Sequence, residues 1–367
     1  MTQAPTAPIR YTPAVEQPEP NEAEVTRELV DTLHGIIETT YKDYGHAVRS
    51  VHAKSHALLE GTFEVLGGLP PVLAQGLFAE PGTYQTVLRI STNAGDILPD
   101  SVSLPRGMAV KVIGVDGDRL PGSEGDATQD FVMAIGPAFL APTPAKFLAN
   151  LKMLAKTTDR VEGVKKVLSA TLRAAESALE AVGGESAMLK SMGGQAQTHP
   201  AGESYFTQAP LRYGDYIAKL SVVPLSPNFK ALAGETVDIG GDPDGLRGAM
   251  NEFFGAEGGQ WEVRAQLCTD LDKMPVEDAS VPWDEEESPY IPVARITVEP
   301  QSAWSETRAK VVDDSLAFSP WHGLAAHQPL GGVMRARKPA YEMSSGFRGQ
   351  HNGCPMHEPK SLETLPA

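Results

Sequence analysis

Seven short runs rich in β-branched and apolar residues, each bounded by Gly or Pro, do most to limit how this chain can fold. ALLEGTFEVL (57–66), TYQTVLRIS (83–91), GMAVKVIGV (107–115) and TQDFVMAI (128–135) precede a long break; YIAKLSVVPL (216–225), WEVRAQLCTD (261–270) and PVARITVEP (292–300) follow it. The break, roughly 143–182, has a helical pattern: FLANLKMLAK and VKKVLSATLRAAESALEAV carry apolar residues three and four apart. GGESAMLKSMGGQAQTHPAGES then reads as an irregular excursion, and DGLRGAMNEFFG as a helix between two of the later strands. These runs predict an α+β protein, a barrel of seven or eight strands interrupted by helices. Closing a sheet removes its edges and leaves space for a ligand at one end.

Outside the strands, Val25, Leu29, Val30, Leu33, Ile36, Ile37 and Tyr41 recur at helical spacing before a stop at Gly45. The Pro-, Thr- and Ala-rich residues 1–22 predict a mobile arm, 23–350 the main domain, and the polar 351–367 a flexible tail. With 31 Lys and Arg against 47 Asp and Glu, the formal charge of -16 repels phosphate backbones and anionic lipid, so neither nucleic acid nor membrane is an expected partner. No stretch approaches the roughly 20 apolar residues of a membrane helix, and the first residues lack a signal core. Cys268 and Cys354 are far apart and form no Cys-x-x-Cys pair, so the expected setting is a cytoplasm that keeps thiols reduced.

The chemistry concentrates in GGVMRARKPAYEMSSGFRGQHNG, where Arg337 and Tyr341 stand four apart and share one face of a helix. A phenol titrates near pH 10, so a tyrosinate at neutral pH needs a neighbouring cation or a metal. By itself the spacing fits an Arg packed on a core Tyr better. Further residues narrow the choice. RSVHAKSHALLEGTFEV resembles the distal-histidine stretch of the catalase family through Arg49, Val51, His52, Ala53, Lys54, Gly61, Phe63 and Glu64. VLRISTNAG resembles its Arg-Phe-Ser-Thr strand through Arg89, Ser91 and Thr92, and PRGMAVKV matches the next strand at all but Met108. Arg337, Tyr341 and Arg348 repeat the spacing of the family's proximal segment. The chain thus resembles a short bacterial catalase-related protein without the long C-terminal extension of large-subunit catalases.

The resemblance implies a catalase-type antiparallel barrel with surrounding and inserted helices, and haem b bound through Tyr341 as the iron ligand. Tyrosine ligation is the standard arrangement in catalase. Arg337 would keep the phenolate ionised. His52 would be the catalytic base, Ser91 the hydroxyl that fixes its ring, and Arg49, Arg89 and Arg348 the partners of the haem propionates, with Val51 bordering the approach to the iron. The implied activity is consumption of hydrogen peroxide, as a catalase or as a peroxidase with an organic donor. A haem isomerase of fatty-acid hydroperoxides and a non-enzymatic haem-binding protein are the alternatives, and a homodimer or other homo-oligomer is the expected assembly.

Two departures stand out. The family's Gly-Asn-Asn-Thr-Pro stretch reads Gly125, Asp126, Ala127, Thr128, Gln129, which puts Ala127 at the distal amide and leaves Gln129 as its nearest substitute. Pro339 lies within the expected proximal helix and cannot donate to the carbonyl of Arg335. HNGCPMH offers His351, Cys354 and His357 as a weak metal pattern, and WHGLAAH separates His322 and His327 too far for joint ligation on a helix.

Overall fold

Strand β1 (Ser55–Val65) pairs antiparallel with β2 (Gly82–Thr92), which pairs with β3 (Arg106–Ile113), which pairs with β4 (Thr128–Ile135). The computed structural model describes residues 7–158, 194–354, 356, 358–362 and 364–367; the end of the helical block, residues 159–182, and His357 lie outside the described residues. After the break the two-residue β5 (Tyr205–Phe206) pairs with β4 on one side and with β7 (Tyr216–Pro224) on the other. β8 (Gly259–Leu267) and β9 (Ile291–Val298) continue from β7 and return to β1, so eight strands close a barrel. The short β6 (Leu211–Tyr213) shares one edge of β7 with β5.

An eight-stranded barrel has an interior that side chains can fill. Phe63, Leu88, Ile90, Met108, Val110, Phe131, Met133, Leu220, Trp261, Val263 and Ile296 do so, all buried in one apolar cluster. Alternate residues of the same strands, Leu58, Val87 and Ile113, face outward into a second cluster with Val312, Leu316, Phe318 and Leu365. Covering both faces of β2 and β3 explains why these strands read as nearly continuous apolar runs.

Helix α1 (Glu22–Tyr44) ends where Gly45 takes φ 66° and donates its N–H to Tyr41 O; a left-handed stop of this kind costs glycine little. Its stripe of Leu29 and Leu33 packs on Leu148 and Leu151 of α2 (Pro144–Thr158) and on Ala340 of the C-terminal helix. Between them in sequence come α3 (Pro227–Ala231), α4 (Gly245–Ala256), α5 (Glu306–Ala309) and, last, α6 (Gly332–Asn352). Among the described residues no helix is long and apolar enough to cross a membrane.

Within the described residues, both terminal segments make contacts with the main domain. In the arm, Ile9 N–H donates to Cys268 O at 2.7 Å, Tyr11 N–H donates to Asp215 O, and Glu16 pairs with Arg335. In the tail, Glu358 pairs with Lys111, Leu365 is buried on the barrel, and Arg308 donates to Pro366 O. Composition announced neither docking, because each rests on a few contacts to residues distant in sequence.

Candidate active site

The loop between α1 and β1 carries His52, whose backbone stands at φ 54°. A β-substituted residue is strained there, and such outliers persist only when their surroundings fix them. Here the fixing is visible. His52 N–H donates to Asn93 O, Ala53 N–H donates to Ala94 O, and two residues on the buried Lys54 ammonium is held by Asp100, Leu98 O and Pro243 O. The imidazole Nδ1 lies 3.1 Å from Ser91 Oγ on β2. With that hydroxyl accepting, Nδ1 holds the ring proton and Nε2 presents a lone pair. Burial, with repulsion from Arg89, Arg337 and Arg49, pushes the imidazole pKa down to about 3, so the ring is neutral and able to accept a proton. It rests over Gly107 of β3, where any Cβ would fall 2.6 Å from His52 Cε1.

Tyr341 projects from α6, with its hydroxyl accepting from the Arg337 guanidinium at 2.7 Å. The helix runs unbroken through Pro339, so the carbonyl of Arg335 gives up its helical partner without ending the element. Its first turn is pinned from three directions: Glu16 accepts from Gly331 N–H, Glu277 from Gly332 N–H, and Arg335 pairs with Glu16, Glu22 and Glu277. Carboxylates at a helix N-terminus satisfy free N–H groups and favour the helix dipole. At the other end Asn352 exchanges two hydrogen bonds with the backbone of Ala47, and Ser50 N–H reaches Ser344 Oγ, which ties the His52 loop to the helix that carries Tyr341.

Arg49, Arg89 and Arg348 meet at one residue, Asp313, on a π turn at Lys310–Asp314. Arg49 and Arg89 donate to Asp313 Oδ1 at 2.8 and 2.6 Å, Ser55 Oγ donates to Oδ2 at 2.6 Å, and Arg348 donates to the Asp313 carbonyl at 2.6 Å. Burial alone would raise the Asp313 pKa; Arg89 and Arg49 outweigh it and keep the carboxylate ionised. Burial lowers Arg348 to about 10, and its Nε is buried with no partner. Three guanidinium groups stand about Asp313, with Asp314 as a second nearby carboxylate, so the cluster keeps a net positive charge. A doubly anionic group such as a pair of propionates fits that excess, and the tyrosine-arginine pair fits an iron ligand, so the residues present suit haem b. Asp313 itself was not found by reading the sequence, where it is one of two adjacent acidic residues in an unremarkable stretch.

Other expected residues fall elsewhere. Gln129 is no substitute for the distal amide. Its side chain donates to Asp130 O and accepts from Leu324 N–H, and it lies at the opposite end of β4 from Met133, whose carbonyl adjoins Gly107 below His52. At ~3.3 Å per residue that places Gln129 roughly 13 Å away along the strand. Ala127 is farther still. Val51, by contrast, stays next to His52 and is half-buried against the helix cluster that contains Leu29, Leu33 and Ala340. His327 accepts from Leu77 N–H inside the barrel cluster, whereas His322 pairs with Glu358, so the two are not joint ligands. His351 stacks on Phe347 and Cys354 Sγ meets Ser315. Among the described residues the one grouping of metal-ligand type is Asp130, His322 and Glu358, and the Lys111 ammonium already occupies it, donating to both carboxylates.

No protein-family model matches the chain, and no curated protein does. Solved structures do match. A fungal catalase aligns with a TM-score of 0.58 at 16% identity over 89% of this chain and 69% of its own. Catalase A from Saccharomyces cerevisiae aligns with a TM-score of 0.59 at 19% identity over 87% and 64%. A bacterial catalase aligns with a TM-score of 0.59 at 16% identity over 97% and 66%. The chain has the catalase fold and spans about two thirds of the length of these structures.

Proposed function

We propose that this chain is a haem-dependent oxidoreductase that consumes peroxide, with residues 23–350 as the haem unit. The observation that carries the reading is the neutral His52 held by Ser91 on a strained backbone, in a loop tied to the helix that pairs Arg337 with Tyr341. Tyr341 would hold the iron and Arg337 would keep its phenolate ionised; Arg49, Arg89 and Arg348 would pair with the propionates. When bound, haem supplies the redox centre that accepts the oxidising equivalents of the peroxide.

His52 Nε2 takes the proton from the near oxygen of the peroxide and returns it to the departing oxygen, so that water rather than hydroxide leaves. Ser91 keeps the ring in the tautomer that this transfer needs. The absent distal amide removes a donor that would orient peroxide, and positioned hydrogen bonds contribute orders of magnitude. That loss favours turnover with an organic donor over rapid dismutation, and supports isomerisation of fatty-acid hydroperoxides as the second reading.

The test is the absorption spectrum of the haem-loaded protein, followed by peroxide loss with and without an organic donor. A tyrosinate-type ferric spectrum with donor-dependent turnover is expected, and oxygen release without donor would make the protein a catalase. The His52→Ala protein should turn over at least ~100-fold more slowly; an undiminished rate would remove the mechanism. Product analysis with lipid hydroperoxides decides the second reading.

A further inference from the structure

We propose that Asp313 is the positioning residue of the arginine cluster, holding Arg49, Arg89 and Arg348 in a fixed array for the two carboxylates of the cofactor. The inference rests on the haem reading above and deepens it. Asp313 is fixed from behind: Val312 beside it is buried against Leu58, Val87, Leu316 and Leu365, and Ser55 Oγ occupies its Oδ2. Its Oδ1 accepts from two different guanidinium groups, and its backbone carbonyl accepts from Arg49 at 3.2 Å and Arg348 at 2.6 Å. One residue therefore touches all three arginines, on two of them through a single oxygen.

Like charges packed together repel. Without a shared anchor, the three side chains would turn away from one another, and a ligand would have to gather them at an entropic cost. With the anchor, their remaining donors are held before the ligand arrives, and even with Asp314 nearby the cluster keeps a net positive charge of the sign that a carboxylate ligand needs. Arg49 and Arg89 also donate to the carbonyls of Leu316 and Ala53, at 3.1 Å each. Those backbone contacts do not involve the Asp313 carboxylate, so a conservative variant is expected to fold.

The test compares Asp313→Asn with the wild-type chain in equilibrium titrations, followed by absorbance, of haem and of haem dimethyl ester, whose carboxylates are masked. Affinity for haem should fall about tenfold, as for loss of a charge-assisted hydrogen bond, while affinity for the ester stays within about twofold. Equal losses for both ligands would show that Asp313 merely supports the fold, and a gain in haem affinity would show that it competes with the carboxylates; either overturns the inference alone. A wild-type chain that binds neither porphyrin overturns the haem reading and the inference together.

Discussion

Gly107→Ala tests the distal geometry without replacing the base. An added Cβ would lie 2.6 Å from His52 Cε1 and 2.9 Å from Met133 O, where ordinary contact begins at 3.4 Å. The imidazole must therefore retreat by about 0.8 Å while a strand carbonyl gives by about 0.5 Å, and misplacement on that scale can cost ~100-fold in rate. His52 cannot retreat freely, because its backbone is held by Asn93 and its ring by Ser91. Overpacking should also cost ~1–3 kcal/mol of stability. The assay is peroxide turnover per bound haem in four proteins: wild type, Gly107→Ala, His52→Ala and the double variant. If Gly107 acts through His52, the double variant is no slower than His52→Ala. A Gly107→Ala protein that loads haem and keeps the wild-type rate would refute the placement of His52 as the working base.

Two further outcomes follow from the buried charges that dock the tail. Lys111, fully buried between Asp130 and Glu358, should be irreplaceable by Met: two carboxylates would lose the ammonium that both accept from, costing ~3–5 kcal/mol and lowering the melting temperature by roughly 5 °C in a thermal scan. An unchanged melting temperature would show that the cluster carries no stability. His322 is the pH-dependent member. Burial opposes its protonation, but Asp130 and Glu358 prevail and raise it to about 9, above the unfolded value of 6.5. Its contribution, an upper bound on the order of 3 kcal/mol, is present in full below pH ~6.5 and is lost as pH rises through 9. Proteolytic release of the tail should accordingly accelerate from pH 6.5 to 9 and do so less in His322→Gln; a flat profile would contradict the assignment.

How far the sequence could be read depended on how local each cause was. Helix α1 was legible from its apolar stripe and Gly45 because both signals lie within the element, and TQDFVMAI and YIAKLSVVPL were legible as β4 and β7 for the same reason. β5 was not: two residues carry no period, yet Tyr205 and Phe206 are what close the barrel between β4 and β7. The site divides along the same line. Arg337 and Tyr341 are one helical turn apart, so their contact follows from spacing, whereas His52 and Ser91 meet only because β1 and β2 pair in the observed register; resemblance to a family had to stand in for physics there. Asp313 lay beyond both kinds of reading, since its role is defined by Arg49, Arg89 and Arg348, which converge on it from a loop, a strand and a helix. Gln129 failed for the converse reason. Its position near a motif suggested a distal role, but the strand direction carries it away from His52 and Leu324 takes its carbonyl. In this chain the groups proposed to do chemistry are recognisable by type, and the groups that hold them in place become visible only once the barrel has closed.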